Sequence, residues 1–158
     1  MNCRIYGLEK TTPGRIILDR KLKISTSSQL IKDAKKYRTI IFYNETKPHK
    51  LKIMRKHGVS TYKIPLNGEG YLDLKKALEK AKKLKFYRIF LESGIKLTSS
   101  FLKENLVNDL KLFISNKKLG TKGHRATNGY LNNFFKKKSY TNEKVNLLGD
   151  RLITYKLK

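Results

Sequence analysis

Glu92 and Gly94 stand two residues apart where an apolar run, Tyr87 to Leu91, gives way to a helical pattern. A carboxylate there can accept hydrogen bonds from amino or hydroxyl groups of a substrate. A glycine lets a ligand approach the backbone closely, and the unpaired N–H groups at a helix start attract phosphate. Thr98, Ser99 and Ser100 add hydroxyls over the next turn. In open α/β sheets, ligands gather where strands end and helices begin, so a substrate and a phosphorylated cofactor could meet here. The plainer alternative is a tight turn with hydroxyl-capped ends, since the full Gly-x-Gly-x-x-Gly pattern is missing.

Other residues with chemical potential are scattered. Arg4 carries the planar fork that holds a phosphate or carbonyl through two bonds, but so near the start it could equally be a frayed surface residue. Asp19 closes an apolar run and could touch a ligand or simply shape a turn. His49, His57 and His124 stand alone, without paired ligand spacing, and no metal site is expected. Cys3 is the only cysteine, which excludes an intrachain disulfide framework and a cysteine-based zinc site. No His-x-Glu with Pro-Cys-x-x-Cys occurs, so zinc-dependent deamination is not expected. No Ser/His/Asp arrangement can be assigned from spacing, and no catalytic residue is named.

The elements that must position these residues read as an alternation. Arg15–Asp19, Thr39–Tyr43, Val59–Ile64, Tyr87–Leu91 and Leu110–Ile114 have the short apolar runs of buried strands. Lys50–His57 reads as a short helix stopped by Gly58. Leu72–Leu84 is the clearest helix, with Leu74, Ala77, Leu78 and Ala81 on one face and lysines on the other. Thr98–Asn105 belongs to a further helix. Gly120–Gly129 is polar and reads as a loop. Val145–Leu148 and Arg151–Leu157, joined by Gly149-Asp150, read as a terminal hairpin. Alternating strands and helices predict an α/β fold of three layers, a mostly parallel sheet flanked by helices, closed by an antiparallel C-terminal hairpin.

Composition sets the outer limits. The 158 residues suffice for one domain with a real core, and 39% hydrophobic and 10% aromatic content argue against disorder. No apolar run approaches the roughly 20 residues of a membrane span, and the N-terminus lacks the apolar centre of a secretion signal. The expectation is a cytoplasmic protein without a membrane partner. The formal charge of +25 suggests nucleic acid at first sight. Lysine supplies most of it, however, and the charges are spread along the chain instead of forming a stripe. Lysine is a poor base reader beside arginine, so a nucleic-acid partner is not expected. A basic field would still draw in phosphorylated metabolites.

The order of residues resembles a known family. Arg15-Ile16-Ile17-Leu18-Asp19, then Leu22-Lys23-Ile24 leading to Ser28-Gln29-Leu30, is similar to the reductase domain of the bifunctional riboflavin-biosynthesis deaminase/reductase. Glu92-Ser93-Gly94 with Leu97 and Phe101-Leu102, Leu106 to Leu112, Lys118-Leu119-Gly120 and Gly149-Asp150-Arg151-Leu152 continue the match over nearly the whole chain. The resemblance implies a dihydrofolate-reductase-like fold in a single domain spanning residues 1–158. It implies NADPH-dependent reduction of 5-amino-6-(5-phosphoribosylamino)uracil to its ribitylamino product, by a homodimer. Arg4 and Glu92 would bind the substrate; Ser28 and Gly94, Ile95, Lys96, Leu97, Thr98, Ser99 and Ser100 would bind NADPH. Ser93 replaces the family's second glycine. The family's domain starts with a strand, a helix and another strand before the position of Arg4, so this chain is expected to lack that first unit. The alternatives are a non-catalytic fragment and a basic nucleic-acid-binding module of the same fold.

Overall fold

Thr39, Ile40, Ile41 and Phe42 are all buried, as expected of a run that is apolar on both faces of a sheet. The computed structural model describes residues 11–117, 127–145 and 148–158 and divides the chain into two compact units, 1–87 and 88–158. In the first unit β1 (Arg15–Leu18), β2 (Thr39–Tyr43) and β3 (Ser60–Lys63) form a parallel sheet in the order β1-β2-β3. Helix α1 (Gln29–Lys32) and a single 3-10 turn, Asp33–Lys35, lie between β1 and β2. Helices α2 (Pro48–Lys56) and α3 (Leu74–Lys83) flank β3 in sequence.

Alternation along β2 separates two cores. Ile41 packs with Leu22, Ile31, Ala34, Met54 and Val59. Ile40 and Phe42 point the other way, onto Ile64, Leu72, Ala77 and Ala81. Helices therefore cover both faces of the sheet, the layering that the sequence predicts. Helix α3 starts where Asp73 caps it, its Oδ1 accepting from the Lys76 N–H at 3.0 Å. Helix α2 begins on Pro48 and ends before Gly58, whose φ of +85° favours glycine.

The unit also buries a cation that the sequence reading passed over. Arg15 opens β1 and is 5% exposed. Its guanidinium donates to Thr39 Oγ1 at 2.6 Å, and to the carbonyls of Leu30 at 3.3 Å and Tyr37 at 3.4 Å. The Tyr37 ring lies 5.3 Å from its central carbon. Charge-assisted bonds to several segments offset the cost of desolvating an arginine.

In the second unit, α4 (Ile95–Lys103) precedes β4 (Asp109–Ile114). Helix α5 (Gly129–Lys137) and strands β5 (Thr141–Asn142) and β6 (Arg151–Lys156) follow. Here the ladder is antiparallel, in the order β4-β6-β5, with Leu112 opposite Ile153 and Asn142 opposite Ile153 on its other side. Phe134 and Phe135 of α5 pack against Tyr155, at ring separations of 6.4 and 5.4 Å.

Three expectations need correction. Tyr87–Leu91 is no strand: it bends at Arg88 and pairs with none among the described residues, and Tyr87 and Phe90 are 79% and 71% exposed. An apolar run states a preference for burial, but a strand needs a neighbour to complete its hydrogen bonds. The C-terminal hairpin exists, but its first arm is Thr141–Asn142 instead of Val145–Leu148. Asn146 and Leu147 lie outside the described residues. The third is α5, whose first turn begins inside the predicted loop, at Gly129.

A polar triad stitches the three strands of this ladder. Thr154 Oγ1 donates to Glu143 Oε1 at 2.7 Å, and Lys111 Nζ reaches the same carboxylate at 3.2 Å. The Thr154 hydroxyl first, and then the Lys111 ammonium, hold the Glu143 carboxyl below its usual range. A depressed value adds stability above the ordinary glutamate pKa of about 4.3, and that contribution is lost as pH falls through the lower folded value. Glu143→Gln should therefore flatten the acid limb of stability in the window just below the ordinary value, as read by thermal melts across pH. An acid limb as steep as that of the native chain would show that the triad is not linked to folding.

Candidate functional site

The leading end of α4 carries most of the residues singled out from the sequence. Gly94 is the N-cap, with φ −71° and ψ 170°, and no side chain caps this end. The first intrahelical bond here is Thr98 N–H to the Gly94 carbonyl, at 3.2 Å. That leaves the N–H groups of Ile95, Lys96 and Leu97 pointing outward without a helical partner. The first turn holds no acidic residue, and Lys96 stands there exposed, at the end of the helix where a cation is least favoured. An anion would satisfy both the amides and the lysine.

Gly94 has no conformational need to be glycine. Its φ suits any residue, and a Cβ built on it would meet nothing within 4 Å. An uncapped helix start with room at its cap residue suits the approach of a phosphate group. In the first unit, Ser28 Oγ is buried without a hydrogen-bond partner among the described residues.

The hydroxyls of the segment divide by function. Ser93 Oγ and Thr98 Oγ1 lie 3.0 Å apart, a polar link from the residue before the cap to the first turn. Ser100 Oγ donates back to the Lys96 carbonyl at 3.1 Å. Ser99 is 6% exposed and accepts from Asn128 Nδ2 at 3.2 Å. These side chains shape the helix end, and the backbone is left to meet a ligand.

Glu92 is exposed, two residues before the cap, and bonds to no described residue. With Tyr87–Leu91 unpaired, it sits on an irregular segment before α4 and not at a strand end. Asp19 takes the turn role, its Oδ2 accepting from Ile24 N–H at 2.7 Å. Arg4 lies outside the described residues. A shallow cavity of about 130 Å³ opens at the other end of α4, between Leu102, Asn105, Val107, Phe134, Lys138 and Leu157. None of the predicted residues lines it. Among the described residues no cluster of His, Cys, Asp or Glu could hold a metal ion, and no helix is long and apolar enough to cross a membrane.

Asn128 was invisible in the sequence reading, because Gly120–Gly129 looks uniformly polar. A signal was present: Asn128 precedes Tyr130, Leu131, Phe134 and Phe135, whose spacing repeats once per helical turn.

Comparison with known proteins identifies the family and the fold. The family model of the RibD C-terminal domain matches residues 2–149. The chain belongs to that family. A curated relative, the riboflavin biosynthesis protein RibD of Actinobacillus pleuropneumoniae, is 30% identical over 110 residues, covering 70% of this chain and 29% of that protein. Acinetobacter baumannii RibD superposes with a TM-score of 0.68 at 17% identity, over 96% of this chain and 40% of that one. A pyrimidine reductase-like protein from Corynebacterium diphtheriae gives 0.66 at 17% identity, over 92% of this chain and 61% of that one. The chain thus spans less than a third of the curated RibD protein. Solved relatives of the RibD C-terminal domain share its α/β architecture, as expected for a dihydrofolate-reductase-like fold.

Proposed function

We propose that this chain is the reductase part of a riboflavin-biosynthesis protein, reducing 5-amino-6-(5-phosphoribosylamino)uracil with NADPH to the ribitylamino product. Membership of the RibD C-terminal domain family supports the activity. The observation that carries the cofactor assignment is the open, uncapped and cationic leading end of α4. In this reading the chain works in the cytoplasm as a homodimer.

A bound nicotinamide dinucleotide would supply a hydride to the sugar's C1, which becomes the CH2 bonded to the pyrimidine's amino nitrogen as the C1–O bond of the ring breaks. The chain's own part is alignment. The amides of Ile95, Lys96 and Leu97 receive the pyrophosphate, and the Lys96 ammonium adds charge. Ser99, Ser100 and Thr98 keep that helix end in shape, and Ser28 offers an unpaired hydroxyl to the cofactor. Glu92 accepts hydrogen bonds from the substrate's amino groups or sugar hydroxyls and orients it, while Arg4 holds the other end. Solvent supplies the proton for the opened sugar's oxygen. The strongly basic chain raises the local concentration of both phosphorylated partners.

The test is loss of NADPH absorbance in the presence of the pyrimidine substrate, with native and Glu92→Gln chains side by side. Losing a charge-assisted hydrogen bond to substrate should lower kcat/KM roughly ten- to a hundredfold. NADPH affinity should hardly change. No NADPH consumption by the native chain would reject the function, and parallel losses of turnover and cofactor affinity would reject the role of Glu92.

A further inference from the structure

Asn128 is the N-cap of α5, and its carboxamide is engaged twice. Its Oδ1 accepts from Leu131 N–H at 2.9 Å, while its Nδ2 donates to Ser99 Oγ at 3.2 Å. The orientation of the amide follows from chemistry, because a backbone N–H only donates and must face the oxygen. Ser99 lies on the buried side of α4, a turn beyond the free amides of Ile95, Lys96 and Leu97.

The remaining buried contacts of α4 come from Phe101 and Leu102. Apolar contacts are non-directional and tolerate small rotations of a helix about its axis. A hydrogen bond to a buried hydroxyl does not, since its strength falls steeply with angle and a buried polar atom is costly to leave unpaired. Capping α5 requires only an acceptor, which serine, threonine or aspartate supplies as well. The carboxamide adds a donor, and that donor is spent on α4.

We infer that Asn128 is a positioning residue for the dinucleotide: through Ser99 it fixes the rotation of α4, and so the aim of the amides at its leading end. The inference rests on the reading of α4 as the cofactor's seat. Amides held in aim before the ligand arrives bind it without an ordering penalty.

Asn128→Ser in the full chain separates the two engagements. Serine keeps the cap but is too short to reach Ser99; Ser99→Ala removes the same bond from the other side. Two readouts apply: NADPH affinity by titration, and hydrogen exchange of the α4 amides without ligand. Asn128→Ser should melt slightly below the native chain, since Ser99 loses its partner, yet stay folded at the assay temperature, exchange faster at Thr98 and Ser99, and bind NADPH roughly three- to tenfold more weakly, the worth of one hydrogen bond. The double variant should be no weaker than the worse single, because one bond is lost in all three. Unchanged affinity in Asn128→Ser, additive losses, or an equal affinity loss in Ile41→Val, a core variant of comparable stability cost, would overturn the positioning role. A native chain that binds no NADPH would remove the seat itself, and the role with it. Native binding beside equal binding by Asn128→Ser would remove the positioning role alone.

Discussion

Replacing Gly94 with serine should make the chain more stable and its grip on NADPH at least roughly tenfold weaker. The two effects have one origin. The backbone at Gly94 already has the extended geometry of an N-cap, and a side chain there would meet nothing within 4 Å. A serine hydroxyl would accept from an N–H of the first turn and lower the entropy of the unfolded chain, together worth about 0.5–1 kcal/mol. That same hydroxyl would occupy a donor needed by the pyrophosphate, and its Cβ would stand in the approach path. Denaturant melts and NADPH titration on one preparation measure both. Higher stability with unchanged affinity would move the cofactor away from α4; no gain in stability would mean that the N-cap geometry is wrong.

The trade at Gly94 also explains what the sequence could disclose. Glycine followed by hydroxyls marks a place where the backbone must be approachable, and that information is local. Strand β2 was legible for a similar reason, since four successive buried positions require an apolar run. Helix α3 announced itself through a one-sided apolar stripe with lysines opposite, all within a dozen residues. Gly58 marked the end of α2 because its left-handed φ is a property of one residue.

What escaped depends on partners distant in sequence. Tyr87–Leu91 has the composition of a buried strand, yet composition does not supply the neighbour whose carbonyls and amides would pair with it. The first arm of the hairpin was misplaced because Thr141 and Asn142 carry no apolar signal; they pair through backbone with Thr154 and Ile153. Arg15 reads as a charged residue at the edge of a run, and only the fold gathers Thr39, Leu30 and Tyr37 around it. Asn128 and Ser99 are joined across 29 positions, beyond the reach of any periodicity. The candidate site was therefore legible as a stretch of chain, and the contacts that hold that stretch in place were not.

The largest loss of stability should come from the first unit's divided core. Phe42→Ala removes a ring that is 1% exposed and meets Tyr62 edge-on at 6.4 Å. The cost is about 3–5 kcal/mol, part lost transfer energy and part cavity. Met54→Ala, on the opposite face of the same sheet, should cost about 2–5 kcal/mol. The two side chains belong to separate clusters, Phe42 with Ile64 and Leu72, Met54 with Leu22 and Ile31. Without shared neighbours their costs should add. Their sum approaches the whole stability of an ordinary domain, about 5–15 kcal/mol, so the double variant should be largely unfolded where each single still folds. Urea titrations of the native, single and double chains decide this. A double variant clearly more stable than the sum predicts would mean that the two faces relax together, and that β2 is not the rigid divider that its burial implies.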